Sequence, residues 1–366
     1  MPSDKISLVQ LRAALGDAGD PWEAGVTSVS VLSAEEQKTR LGVKPPAGAA
    51  DPETVKRVAG ASELASSVGA PASFFWGKPN NNNYITPVKD QGGCGSCVGF
   101  GTTSVVESMV RINRSNPNLA VDLSEAHLFF CLGSSTGASC GGGWWPTSAF
   151  DAYKATGVVD EACFPYPANP AAATCTPCSD WANRVTKITG YQDLTNNPAA
   201  IKDWIANRGP VSACFYVYND FFSYKSGVYR HVTGNLAGGH CVSIVGYDDV
   251  GGYWMCKNSW GTGWGDQGWF CIAYGDSYID SWGVIGVTGI ENTGWRYNVH
   301  ILGLWAINQD RNAWVYLDSG YGWRKLAPDN DNILHDMLVQ LMAAKAKGGT
   351  VSFYEEQGVI KQIYVF

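Results

Sequence analysis

Pro87-Val88-Lys89-Asp90-Gln91-Gly92-Gly93-Cys94-Gly95-Ser96-Cys97 is the stretch on which the reading of this chain turns. The run that follows, to Arg111, sets Val98, Val105, Met109 and Val110 at helical spacing. Ser96 is a good N-cap, so Cys97 falls in the first helical turn. There the aligned peptide dipoles, worth about half a positive charge, favour thiolate over thiol, and the thiolate is the nucleophile. Such a nucleophile needs a base and a group that orients the base. Gly238-Gly239-His240-Cys241-Val242 offers a histidine at a strand start, and Lys257-Asn258-Ser259-Trp260-Gly261 offers an amide beside a tryptophan.

These strings, Gln91 to Phe100, His240 with its strand to Gly246-Tyr247, and Asn258 to Gly265, resemble the papain family of cysteine peptidases. The likeness spans residues 70–290 and takes in Pro71 to Trp76, similar to a mature N-terminus, and Cys140-Gly141-Gly142-Gly143, similar to a substrate-binding glycine pair. It implies an α+β fold of two subdomains, a helical half and an antiparallel, barrel-like half. It also implies a cysteine endopeptidase made as a zymogen. Cys97 would attack the scissile carbonyl, His240 would form an ion pair with it, Asn258 would orient the imidazole and Gln91 would serve the oxyanion hole. Trp260 would shield the His240–Asn258 bond. Gly142, Gly143, Trp144, Trp145, Gly239, Cys214 and Cys241 would line the substrate groove. Val98 departs from the family's usual aromatic after the nucleophile, and no cysteine follows Cys271.

Composition narrows the partners. Charged residues make up 16% of 366, the net charge is −7 and no long basic run occurs, which argues against nucleic acid. No apolar stretch is long enough to cross a bilayer, and Met1 to Gly19 lacks a signal-peptide pattern. Yet eleven cysteines between Cys94 and Cys271 point to an oxidising, extracytoplasmic setting, and their odd number leaves one thiol over. The resemblance implies bridges Cys94–Cys140, Cys131–Cys175 and Cys163–Cys178. Cys214–Cys241 is expected to narrow the specificity pocket, and Cys256–Cys271 to join two strands across a glycine-rich turn. Cys94-x-x-Cys97 and Cys175-x-x-Cys178 also suggest redox or zinc chemistry, but the βαβ context and zinc spacing are missing, so no cofactor or metal is expected. A catalytically dead binding protein is the competing reading.

Along the chain, residues 1–69 read as an inhibitory propeptide, with helices at Leu8–Leu15 and Ser33–Leu41 and a Pro/Gly linker after Lys44. Its segment from Gly42 to Ala50 is expected beside Cys97 and Gly143, running opposite to substrate as the family does. Residues 70–290 form the peptidase, with strands at Val211–Tyr218, His240–Tyr247, Tyr253–Asn258, Gly268–Tyr274 and Gly283–Val287. Residues 295–366 read strand–strand–helix–strand–strand, an accessory, OB-like, partly open β barrel for a partner or carbohydrate. Peptide or protein substrates and the chain's own leader complete the expected partners.

Overall fold

The computed structural model describes residues 5–45, 70–77, 83–291, 294–318, 321–356 and 358–365. The linker from Pro46 onward, which carries the expected end of the leader, lies outside the described residues, as do Asn80 to Asn82.

The leader opens with α1 (Leu8–Asp17), started by a Ser7/Gln10 capping box. It continues through β1 (Trp22–Ala24) to α2 (Ala34–Lys38), which Ser33 and Glu36 cap in the same way. Leu11, Leu15, Trp22 and Val29 are buried in the core of the sheet half, so the leader is part of that core. Strand β1 extends the sheet by pairing with β5 (Tyr224–Tyr229), Trp22 opposite Gly227.

The half of the molecule that carries Cys97 is built on α3 (Cys97–Asn113) and α4 (Pro146–Ala155). Every residue from Cys97 to Met109 is buried, so α3 runs through the core and meets solvent only in its last turn. Ser96 stands at its N-cap, but the hydroxyl bonds Tyr166 Oη at 2.7 Å and caps no helix N–H. The region after Ser124 is a π-helical turn, His127–Leu132, whose entry Ser124 holds by accepting from the His127 N–H at 2.9 Å.

The second half is a nine-stranded sheet. Its remaining strands are β2 (Ser73–Phe75), β3 (Ile188–Asp193), β4 (Val211–Tyr218), β6 (Leu236–Asp248), β7 (Tyr253–Lys257), β8 (Trp269–Ala273) and β9 (Ile285–Ile290). Helix α5 (Pro198–Asn207), with Asn197 as cap, packs Trp204 and Ile205 into the same core. Along one path the strands run β1-β5-β8-β7-β6-β4-β9-β3, with β2 on β6. Strands β1, β2, β3 and β5 escape the hydrophobic reading because they are short or, like Ile-Thr-Gly-Tyr-Gln-Asp, show little apolar alternation.

The tail is a closed barrel, not a partly open one, and three strands precede its helix instead of two. Strands β10 (Gly294–Ala306), β11 (Ala313–Leu317), β12 (Gly322–Leu326), β13 (Thr350–Glu356) and β14 (Val359–Val365) close in the order β10-β11-β12-β14-β13, with β12 and β14 parallel. Helix α6 (Asp331–Lys347), between β12 and β13, adds Leu334, Met337, Leu341 and Ala344 to the barrel core. The missed strand, Gly-Trp-Arg-Lys-Leu, keeps only Leu326 fully inside, so its sequence lacks an apolar face.

Cys94–Cys140, Cys131–Cys175 and Cys163–Cys178 are bridged as expected. The other two expected bridges are absent: Cys214, Cys241, Cys256 and Cys271 are thiols, as is Cys97. Cys214 and Cys241 lie directly opposite one another on antiparallel strands. There the two Cβ atoms point the same way, and the near-right-angle torsion of a disulfide fits such a pair poorly. Cys256 faces Phe270 while Cys271 faces Met255, so the period of two sends their side chains to opposite faces of the sheet.

Candidate active site

Cys97 opens α3 and His240 lies on β6, two elements that pack against one another, and the Cys97 thiol lies beside the backbone of Cys241, the residue after His240. Asn258 follows the last residue of β7, and its Oδ1 lies 2.8 Å from His240 Nε2 while also accepting from the Ser259 N–H at 2.7 Å. That second bond fixes which end of the amide faces the imidazole. The Trp260 ring, fully buried, sits 4.6 Å from the imidazole and covers it on one side.

Gln91 is buried too. Its Oε1 accepts from Ser259 Oγ at 2.7 Å, which turns Nε2 outward, and Nε2 donates to the Cys94 carbonyl at 2.7 Å and to the Arg40 carbonyl of the leader at 3.0 Å. Ser259 was not legible as a functional residue, although its place directly after Asn258 is the signal that could have found it.

The leader crosses this centre as extended chain. Gly42 and Val43 donate to the Gly239 carbonyl at 3.0 and 3.2 Å, Trp144 donates to the Gly42 carbonyl at 2.8 Å, and Lys44 donates to the Trp144 carbonyl at 2.9 Å. Val43 pairs with Trp144 in parallel. A Cβ on Gly42 would come within 1.9 Å of the Gly95 carbonyl oxygen, and one on Gly143 within 2.1 Å of the Gly42 oxygen. Only glycines allow this approach.

Under this cover burial disfavours the charged form of both Cys97 and His240. Burial, then neighbouring Cys241, raises the Cys97 thiol far above the usual thiol range. Burial also pushes His240 down to about 4, against the opposing hydrogen bond to Asn258, and the leader's Arg40 adds to the lowering. His240 Nδ1 is buried with no hydrogen-bond partner among the described residues. With the leader in place, burial thus works against charge on both Cys97 and His240.

The structure brings some expected groove residues to the cleft and turns others away. Gly143 touches the leader, whereas the Gly142 N–H bonds Ser139 of its own loop. Trp144 offers its backbone, while its buried indole donates to Thr136 Oγ1 at 3.1 Å. Trp145 stays partly exposed against Trp282, and Trp282 crowds Gly239. Cys214 and Cys241 lie buried behind the groove, with Cys214 near Gly283 and Cys241 near Gly101. Below, Lys257 at the end of β7 donates to Thr86 Oγ1 at 3.0 Å, and Thr86 donates to Glu107 at 2.5 Å. Burial pushes Lys257 down to about 8. This chain of polar contacts fixes the strand end from which Asn258 projects.

The Papain family cysteine protease profile matches residues 70–292, more than half of the chain. The chain belongs to the papain family. Among papain-family relatives, the cathepsin B-like CP3 of Giardia intestinalis is 37% identical over 215 residues, covering 57% of this chain and 70% of its own. A gut-specific cysteine proteinase of Caenorhabditis elegans is 35% identical over 215 residues, covering 52% and 65%. The solved procathepsin B S9 of Trypanosoma congolense superposes with a TM-score of 0.62 at 26% identity, over 77% of this chain and 98% of that one. The digestive procathepsin L2 of Tenebrio molitor larval midgut gives 0.62 at 29% identity, over 76% and 87%. The papain-like fold and cysteine peptidase class expected from the sequence are thus met. No helix among the described residues is long and apolar enough to cross a membrane.

Proposed function

We propose that the chain is a latent cysteine endopeptidase of an extracytoplasmic setting. In this reading residues 1–69 are its inhibitory propeptide, 70–290 its catalytic unit and 295–366 an accessory domain. The observation that carries the reading is the seat of Arg40: a leader carbonyl accepts from Gln91 Nε2 at 3.0 Å, where a substrate oxyanion would need its donor.

Once the leader leaves, water reaches the cleft and the cost of charging Cys97 and His240 falls. The proton passes from Cys97 Sγ to His240. The thiolate attacks the scissile carbonyl carbon, and the oxygen takes the electron pair while accepting from Gln91 Nε2 and the Cys97 N–H. Losing one such donor costs about 3 kcal/mol of transition-state stabilisation. The imidazolium, held by Asn258, gives its proton to the leaving amine as the C–N bond breaks. Water then attacks the thioester with His240 as base, releasing the acid and restoring the thiol. Trp260 keeps water from the His240–Asn258 bond, and Trp145 with Trp282 forms the apolar wall beside Gly239.

The test is hydrolysis of a fluorogenic peptide before and after removal of the leader. Activity should appear on removal, vanish with a thiol-directed epoxide and be absent in Cys97→Ala. A processed protein that is inert, or a Cys97→Ala variant that hydrolyses normally, refutes the proposal.

A further inference from the structure

The outer face of β10, β11 and β12 carries an unusual run of aromatic side chains. In register, Trp305 lies opposite Trp314, Gly303 opposite Tyr316, Tyr316 opposite Trp323, and Trp314 opposite Lys325. Directly opposed residues, and residues two apart on one strand, share a face. Trp305, Trp314, Tyr316 and Trp323 therefore stand together, while Leu304, Val315 and Leu317 fill the interior.

Trp305, Tyr316 and Trp323 are 42%, 39% and 46% exposed, a large aromatic area for a soluble surface to leave to water. The platform is also built in advance. Tyr316 and Trp323 pack with ring centres 5.2 Å apart, and the bare backbone of Gly303 lies beneath the edge of Trp323. Trp314 Nε1 donates to Asn312 Oδ1 at 2.7 Å, and Asn312 Nδ2 donates to Gln309 Oε1 at 2.7 Å, so exposed amides rim one end.

Charge decides the occupant. Residues 294–366 carry seven Lys and Arg against seven Asp and Glu. Arg324, next to Trp323, turns inward to Glu355, and Arg311 is paired with Asp331, leaving Lys325 as the cation in the aromatic register. A single-stranded nucleic acid groove combines its aromatics with a basic track, which this face lacks. A ladder of indole and phenol planes with one lysine among them, rimmed by amides, matches an uncharged ligand with flat C–H faces and hydroxyl edges. We propose that this face binds a neutral oligosaccharide, each exposed ring stacking on one sugar. The site is separate from the peptidase cleft, and its function would be to hold the enzyme on a glycan-bearing surface.

The test uses the full-length Cys97→Ala chain, which is spared self-digestion, titrated by tryptophan fluorescence and calorimetry with cellohexaose, laminarihexaose, chitohexaose and mannohexaose. At least one should bind with a fluorescence change, and Trp323→Ala and Tyr316→Ala should each weaken that binding by about tenfold, the loss of one stacking contact. Tyr364→Ala, on a different part of the barrel, should leave it unchanged, and Trp323→Phe should restore part of it. Unchanged circular dichroism and thermal melting certify that the variants are folded. No binding to any of the four sugars, equal binding by the Trp323 and Tyr316 variants, or preferential binding of oligothymidine or of a peptide would overturn the proposal. Because peptidase activity plays no part in the readout, the result is independent of the catalytic reading.

Discussion

Arg114, just past the end of the helix that Cys97 opens, reaches into the tail barrel and meets Glu355: Nη2 lies 3.1 Å from Oε1, with the carboxylate wholly buried. Arg296 and Arg324 hold the same carboxylate, and the Arg114 guanidinium lies 4.9 Å over the Tyr321 ring. One carboxylate thus ties two units together. Glu355→Ala strands three guanidiniums around an apolar gap and should destabilise the barrel by about 3–5 kcal/mol. Arg114→Ala leaves Glu355 with two partners, so the barrel should stay folded but detach. Calorimetry and limited proteolysis near residues 290–295 distinguish the outcomes; equal barrel melting in both variants would refute the division of roles.

Latency should respond to acid. In the covered state burial pushes His240 down to about 4, whereas in an uncovered Cys97→Ala enzyme, which has no thiol to supply the proton, an ordinary imidazole takes up a proton from solvent near 6.5. Across that interval the uncovered state binds more protons than the covered one, so falling pH favours release of the leader. Leader affinity for the processed Cys97→Ala enzyme should weaken progressively from pH 6.5 to 4, and adding His240→Ala should flatten that part of the profile. An unchanged slope in the variant would show that other groups set it.

Gly42→Ala should open the enzyme without cutting it. Its methyl group would sit 1.9 Å from the Gly95 oxygen, an overlap the leader can avoid only by lifting off. The isolated leader carrying this change should inhibit about ten- to hundredfold more weakly. Equal inhibition constants for the two leaders would contradict the close approach.

Ser259→Ala should lower kcat more than it raises KM, by about tenfold. The Ser259 hydroxyl donates to Gln91 Oε1 and so aims the amide, and the loss should be smaller than the hundredfold or more expected of Gln91→Ala. A change confined to KM would mean that Ser259 serves binding instead.

Alkylation of the unfolded, unreduced Cys97→Ser chain should label four cysteines, Cys214, Cys241, Cys256 and Cys271, and reduction should add six more. A Cys214–Cys241 crosslinked peptide in the mass map would restore the narrower pocket.

What could be read in advance follows from how local its cause is. Cys97, His240, Asn258 and Gln91 sit in strings whose neighbours announce them, and the helices at Pro146 and Pro198 carry their own start signals. Strand β5 and strand β12 are specified by partners far along the chain, Trp22 for one and Val359 for the other, and no window of sequence contains both. Trp144 and Trp145 look alike in sequence, yet the alternation of the backbone buries one indole and leaves the other at the cleft. The cysteine count suggested five bridges, but a bridge depends on where two Cβ atoms point, and the sheet aims Cys256 and Cys271 apart.

All three disulfides lie between Cys94 and Cys178, in the half that bears Cys97, whereas the sheet that bears His240 has none. The halves therefore answer to different insults. Disulfide reductants erode the first, and heat or denaturant tests the apolar sheet core more directly. Because the proposed catalysis draws one group from each half, the working lifetime is set by whichever half fails first, and a reductant dose that keeps Cys97 reduced is limited by the three bridges of its own half.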